Sequence, residues 1–150
     1  MKKNNNLSKT PRIKIIQKLY SNSINPDEII IFHKGQFKKF IKDVVEGTIE
    51  RRELIEDTVN KYLNDDIDLK KTDILLKIIL FAAVFELLFK HQTSINVVIA
   101  EYVKTAEYFL EKGQIKYLNA ILDKISGLIR KNWDLFIWCV KDIINYLRFK

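Results

Sequence analysis

Residues 74–89 read ILLKIILFAAVFELLF, and the fold follows from this stretch. Apolar side chains fill nearly every position from Ile74 to Phe85, so a helix formed here has no face to offer water and belongs at the centre of a bundle, surrounded by other helices. Lys77 and Glu86 interrupt the run, which also falls short of the ~20 residues needed to cross a bilayer. The central helix is expected over about Leu69 to Lys90. Ahead of it Asn64, Asp65, Asp66, Ile67 and Asp68 form a connector whose carboxylates suit a helix N-terminus.

Amphipathic helices flank this centre on both sides. Thr10 followed by Pro11 reads as an N-cap with proline at the first helical position, and Ile13, Ile16, Leu19 and Tyr20 recur at helical spacing, predicting a helix over Pro11 to Ser21. Arg12, Lys14 and Lys18 are expected mainly off its apolar stripe. Asn25-Pro26 marks a turn, and the short run Ile29 to Phe32 carries no periodicity that settles its structure. Phe37, Phe40, Ile41, Val44 and Val45 mark a second helix; Leu54, Ile55, Val59, Tyr62 and Leu63 mark a third, with Gly47 near their junction. After the centre, Thr93 or Ser94 caps a helix carrying Val97 to Ile99, Val103, Ala106 and Phe109, and Gly113 breaks it. Another runs from about Gln114 through Tyr117, Leu118, Ile121, Leu122 and Ile125. A last one from about Trp133 carries Phe136, Ile137, Val140, Ile144 and Leu147. The fold class is therefore all-α, a compact bundle of six to seven helices. With only four Gly and two Pro against 47% hydrophobic residues, long uninterrupted elements are favoured.

Lys plus Arg number 26 against 19 Asp plus Glu, a net charge of +7 that biases partners towards polyanions. Lys2, Lys3, Lys9, Arg12, Lys14 and Lys18 all precede the first acidic residue, Asp27, so residues 1–9 are expected as a basic arm able to reach nucleic acid. Catalytic machinery is not evident. His33 and His91 are far apart and have no cysteine or carboxylate at a metal-ligand spacing, and four scattered glycines supply no phosphate-cradling loop. Cys139 is the only cysteine, in the apolar run Leu135 to Val140, where it reads as a small buried hydrophobe. It excludes an intramolecular disulfide, and the start lacks the apolar stretch of a secretory signal, so a reducing cytoplasm is expected. No enzyme activity, cofactor or metal is expected.

Three stretches carry a resemblance: Ala83-Val84-Phe85-Glu86-Leu87-Leu88, then Val97-Val98-Ile99-Ala100-Glu101, then Lys116-Tyr117-Leu118-Asn119-Ala120-Ile121-Leu122-Asp123. In order and separation they resemble the signature stretches of the NusB family, and Leu19-Tyr20 and the Phe40, Val44-Val45, Gly47 pattern fit as well, so the likeness covers roughly residues 11–125. It implies two packed helical sub-bundles and an RNA-binding transcription antitermination factor. The implied partners are boxA-type leader RNA of ribosomal RNA operons, the ribosomal protein NusE and the RNA polymerase antitermination complex. The RNA contacts it implies fall on the basic amino-terminal segment and the start of the Lys116 helix: Lys2, Lys3, Lys9, Arg12, Lys116 and Tyr117. Tyr20 and Glu86 are assigned to the protein partner. Tyr117 also occupies an apolar-periodic position, which leaves stacking and core packing both open, and Glu86 could equally close a core network. Glu101 and Asn119 are expected to join helices through hydrogen bonds.

The chain departs from the family pattern at several positions. Leu76 and Phe81 stand where members usually carry an acidic residue and an arginine, Ala100 replaces an asparagine, and Ala120 and Leu110 replace glycines. Residues 10–131 form the family-like domain, and 132–150 an amphipathic extension beyond the resemblance. Losing the polar residues of the central helix makes a helical protein–protein adaptor without specific RNA binding the alternative reading. An accessory domain of an RNA methyltransferase is opposed because no methyl-donor-binding region follows residue 131. A membrane-surface role for the last helix, suggested by Trp133, Trp138, Tyr146, Arg148 and Lys150, is opposed by Asp134 and Asp142. The extension's apolar stripe would be covered by the chain's own bundle or by a second copy in a homodimer, with self-docking favoured.

Overall fold

The computed structural model describes residues 10–63 and 68–131. The basic arm with Lys2, Lys3 and Lys9, the connector residues 64–67 and the extension 132–150 with Cys139 lie outside the described residues. Among the described residues there are six helices and no strand: α1 (Pro11–Ile24), α2 (Lys38–Glu50), α3 (Arg52–Leu63), α4 (Ile74–Phe89), α5 (Ile95–Ala106) and α6 (Lys112–Lys131).

The all-round apolar helix α4 is the centre. Leu76, Ile79 and every residue from Leu80 to Leu88 are buried, and all five other helices pack against it. On one side α1 and α2 pack on each other and on α4; on the other, α6 packs on α3, α5 and α4. The two sub-bundles thus share α4 as a common wall. The expected start at Leu69 is five residues early. Asp73 stops the chain short of it: its carboxylate accepts from the Leu75 and Leu76 N–H groups at 3.0 and 3.2 Å, satisfying two donors that the first turn leaves orphaned. Residues 68–72 form a turn instead, the Lys71 and Thr72 N–H groups both donating to the Asp68 carbonyl at 3.0 Å.

One glycine keeps its expected place and one does not. Gly47, near the junction of α2 and α3, lies buried within the last turn of α2, where a Cβ would meet the Phe85 ring at 2.2 Å. It is glycine because the Phe85 ring from α4 lies directly against the α2 backbone there. Gly113, expected to break a helix, sits in the first turn of α6. The break comes earlier, where α5 ends at Ala106 and the Phe109 and Leu110 N–H groups donate to its carbonyl at 3.0 and 2.8 Å. Helix α6 then starts at Lys112 because Gln114 reaches back, its side-chain oxygen accepting from the Glu111 N–H at 3.2 Å in half of a capping box.

Candidate nucleic-acid interface

The amino-terminal end of α1 crosses the carboxy-terminal end of α4, and the crossing buries a charged network. The Arg12 guanidinium grips Glu86 with two donors, Nε to Oε1 at 3.2 Å and Nη2 to Oε2 at 2.9 Å. The Tyr102 hydroxyl on α5 donates to the same Oε1 at 2.5 Å. Glu101 adds a second carboxylate, its Oε2 lying 3.6 Å from Arg12 Nη1. The guanidinium carbon also lies 5.3 Å from the Phe40 ring centroid and 5.4 Å from that of Tyr102, both within cation–π range. Four helices, α1, α2, α4 and α5, therefore meet on one cation.

Burial works against charge on Arg12, but the charge and hydrogen bonds of Glu86, with Tyr102 and Glu101, together outweigh it and hold the guanidinium proton more tightly than usual. For Tyr102, burial and then the Glu86 charge push the phenol well above its ordinary range, so it stays a donor. Among the described residues no buried side-chain polar atom lacks a partner. That completeness is what makes a buried ion pair tolerable.

This arrangement corrects two expectations about Arg12 and Glu86. Arg12, expected on the RNA surface, is 8% exposed, and Glu86, assigned to a protein partner, is fully buried. The structure brings them to each other. The signal was in the sequence: residues 12, 15, 16 and 19 lie on one side of a helix, which puts Arg12 on the stripe of Ile15, Ile16 and Leu19. A lone carboxylate within the apolar run from Ile78 to Phe89 likewise demands a cation. Tyr102, missed by sequence reasoning, shares helical spacing with the buried Val98, Ile99 and Ala106.

The remaining site residues among those described, Lys116, Tyr117 and Tyr20, stay at the surface. Lys116 is exposed, and Tyr117 is 41% exposed over a fully buried Leu118. Lys14 is exposed on α1, and Tyr20 is 39% exposed. Tyr20 lies eight residues beyond Arg12, about 12 Å along the helix axis. Helix α5 packs against both α1 and α6, so it couples the helix that follows the arm to the one that carries Lys116 and Tyr117. Glu101 joins α5 to α1 by an ion pair at 3.6 Å instead of the expected hydrogen bond, while Asn119 is exposed on α6. Among the described residues no group of three His, Cys, Asp or Glu side chains could hold a metal. No helix there is long and apolar enough to cross a membrane.

Comparison with known proteins gives the same picture from a different direction. The model of the NusB family matches residues 6–127. The transcription antitermination protein NusB of Mesorhizobium japonicum is 32% identical over 92 residues, covering 61% of this chain and 59% of that protein. The protein of the same name from Allorhizobium ampelinum is 32% identical over 91 residues, covering 61% and 57%. The chain thus spans a little under three fifths of the length of these curated relatives. A solved structure of T. maritima NusB superposes with a TM-score of 0.67 at 23% identity, over 78% of this chain and 89% of that one. At that identity the likeness is one of fold.

Proposed function

This chain belongs to the NusB family, and we propose that it is a transcription antitermination factor that binds single-stranded boxA-type leader RNA together with ribosomal protein NusE, within the antitermination complex of RNA polymerase. The observation that carries the reading is the exposed pair at the start of α6: Tyr117, 41% exposed, beside exposed Lys116. A partly exposed tyrosine ring can stack on an unpaired base for about 1–3 kcal/mol, while a neighbouring lysine holds phosphate. Lys14 and the arm residues Lys2, Lys3 and Lys9 would extend the phosphate contacts beyond α1.

In this reading Arg12 and Glu86 position the surface without touching the ligand. They clamp α1 to α4 and α5, which sets where the basic arm leaves the bundle relative to α6. Tyr20, at the far end of α1, remains as the contact for NusE. The protein acts by binding, in the cytoplasm, with no chemistry of its own.

Fluorescence anisotropy of a labelled boxA-like single strand, titrated with and without NusE across a salt series, tests this. Binding should strengthen with NusE and weaken log-linearly with salt, and Tyr117→Ala should cost about 1–3 kcal/mol of binding without lowering the melting temperature. NusE binding with no RNA binding at any salt would leave a protein-only adaptor in its place.

A further inference from the structure

Between α1 and α2 the chain returns along α1 without forming a helix. No turn or bend interrupts residues 29–33, and their exposure alternates: Ile29 and Ile31 are 86% and 65% exposed, while Ile30 and Phe32 pack against the core. A period of two is the mark of an extended strand. In such a strand the N–H and C=O of one residue point to the same side, alternating along the chain. The Ile31 carbonyl accepts from Lys18 Nζ on α1 at 2.5 Å, so the main-chain groups of Ile29, Ile31 and His33 form the edge that faces α1.

That edge is open. The connector's own backbone bonds are Glu28 N–H to the Asn25 carbonyl and Lys38 N–H to the Gly35 carbonyl, both 3.2 Å. Among the described residues no backbone bond reaches Ile29, Ile31 or His33. Between the edge and α1 lies a groove of about 490 Å³, within the ~300–1,000 Å³ typical of ligand clefts. Lys14, Lys18, Lys34 and Lys38 line it against a single carboxylate, Glu28. Unpaired strand edges are templates for another strand, and the charge around this one selects which.

We propose that Ile29 to His33 is a strand-addition site that takes an extended, acidic segment of a protein partner into this groove. The partner's N–H groups replace Lys18 at the Ile31 carbonyl, and the released ammonium, with Lys14, Lys34 and Lys38, meets the partner's carboxylates. Exposed Ile29 and Ile31 supply apolar contact on the outer face. The basic arm is excluded as occupant by its own charge. This site is separate from the α6 surface and shares only Lys14 with the phosphate contacts proposed for α1, so peptide binding here can be read without RNA.

Amide hydrogen exchange read by NMR on the full-length, isotope-labelled protein tests the proposal, with a capped hexapeptide of alternating glutamate and valine as the probe. Saturating peptide should slow exchange at Ile29, Ile31 and His33 by roughly tenfold or more and leave Ile30 and Phe32 unchanged, since only one edge is paired. The double variant Lys34→Glu with Lys38→Glu, both on the surface, should bind the peptide roughly tenfold more weakly with an unchanged circular-dichroism spectrum. No protection at millimolar peptide, or protection without the alternation, would overturn it. So would an oligouridylate perturbing the segment where the peptide does not, which would make the groove a nucleic-acid site. Protection that rises with protein concentration alone would assign the edge to a second copy.

Discussion

Arg12, Glu86 and Tyr102 depend on one another in a way that single substitutions expose. Removing Arg12 strands a buried carboxylate, so Arg12→Ala should destabilise the fold by about 3–5 kcal/mol in urea unfolding. Replacing the whole network by apolar residues of similar size, Arg12→Met with Glu86→Leu and Tyr102→Phe so that no buried hydroxyl is left unpaired, should recover most of that loss, because the pair's attraction is largely cancelled by its desolvation. A triple variant as unstable as Arg12→Ala would show that the network is worth more than its charges. Tyr102 adds a pH signature. Burial and the Glu86 charge both favour its neutral phenol, so its folded pKa lies well above the ordinary value. The stabilisation this gives is complete below the unfolded pKa of about 10 and is lost as pH rises from there towards the folded value. Stability of the native protein should therefore fall more steeply above about pH 10 than that of Tyr102→Phe, as a urea series at increasing pH would record. Parallel profiles would mean that the phenol does not titrate in step with unfolding.

Helix placement in this chain is set by a few local contacts, and these decide what the sequence could disclose. Gly47 lets α2 approach Phe85 on α4, whose ring packs 5.1 Å from that of Phe89. Gly47→Ala improves helix propensity yet forces the Phe85 ring to move within a packed core, so it should destabilise by about 1–3 kcal/mol despite the better local residue. A gain in melting temperature would mean that the core yields there. Composition and period were enough to identify all six described helices, because an all-round apolar run such as residues 74–89 has one stable environment and the amphipathic runs around it have one buried face. Boundaries were less legible. Asp73 and Gln114 act through side-chain bonds to backbone donors, which apolar spacing does not register, and Gly113 looks like a stop only until the earlier turn after Ala106 is known. The connector resisted reading because four apolar residues in a row fit a strand and a helix equally well. Of the site, Lys116 and Tyr117 are exposed, a placement that the apolar spacing of Tyr117 had left open, whereas Arg12 was misplaced because its charge was weighed above its position on the stripe.

At the scale of the whole molecule, α4 separates two tasks: holding the bundle and presenting cations. Those tasks fall on different basic residues, although a count of charge cannot tell them apart. Arg12 is inside, committed to Glu86; Lys14 and Lys116 are exposed, on helices that α5 joins. If RNA lies across both helices, Lys14→Ala with Lys116→Ala removes two phosphate contacts and nothing from the core. The slope of log K against log salt should then flatten by about 1.4, at ~0.7 per phosphate for a single strand, while the melting temperature stays within a degree or two of the parent. Arg12→Ala should do the reverse, lowering the melting temperature while its folded fraction keeps the parent salt slope. The two variants together test the division between interior and surface. An unchanged slope in the lysine double variant would move the RNA path off α1 and α6, and a flattened slope in folded Arg12→Ala would mean that the guanidinium leaves Glu86 when RNA binds.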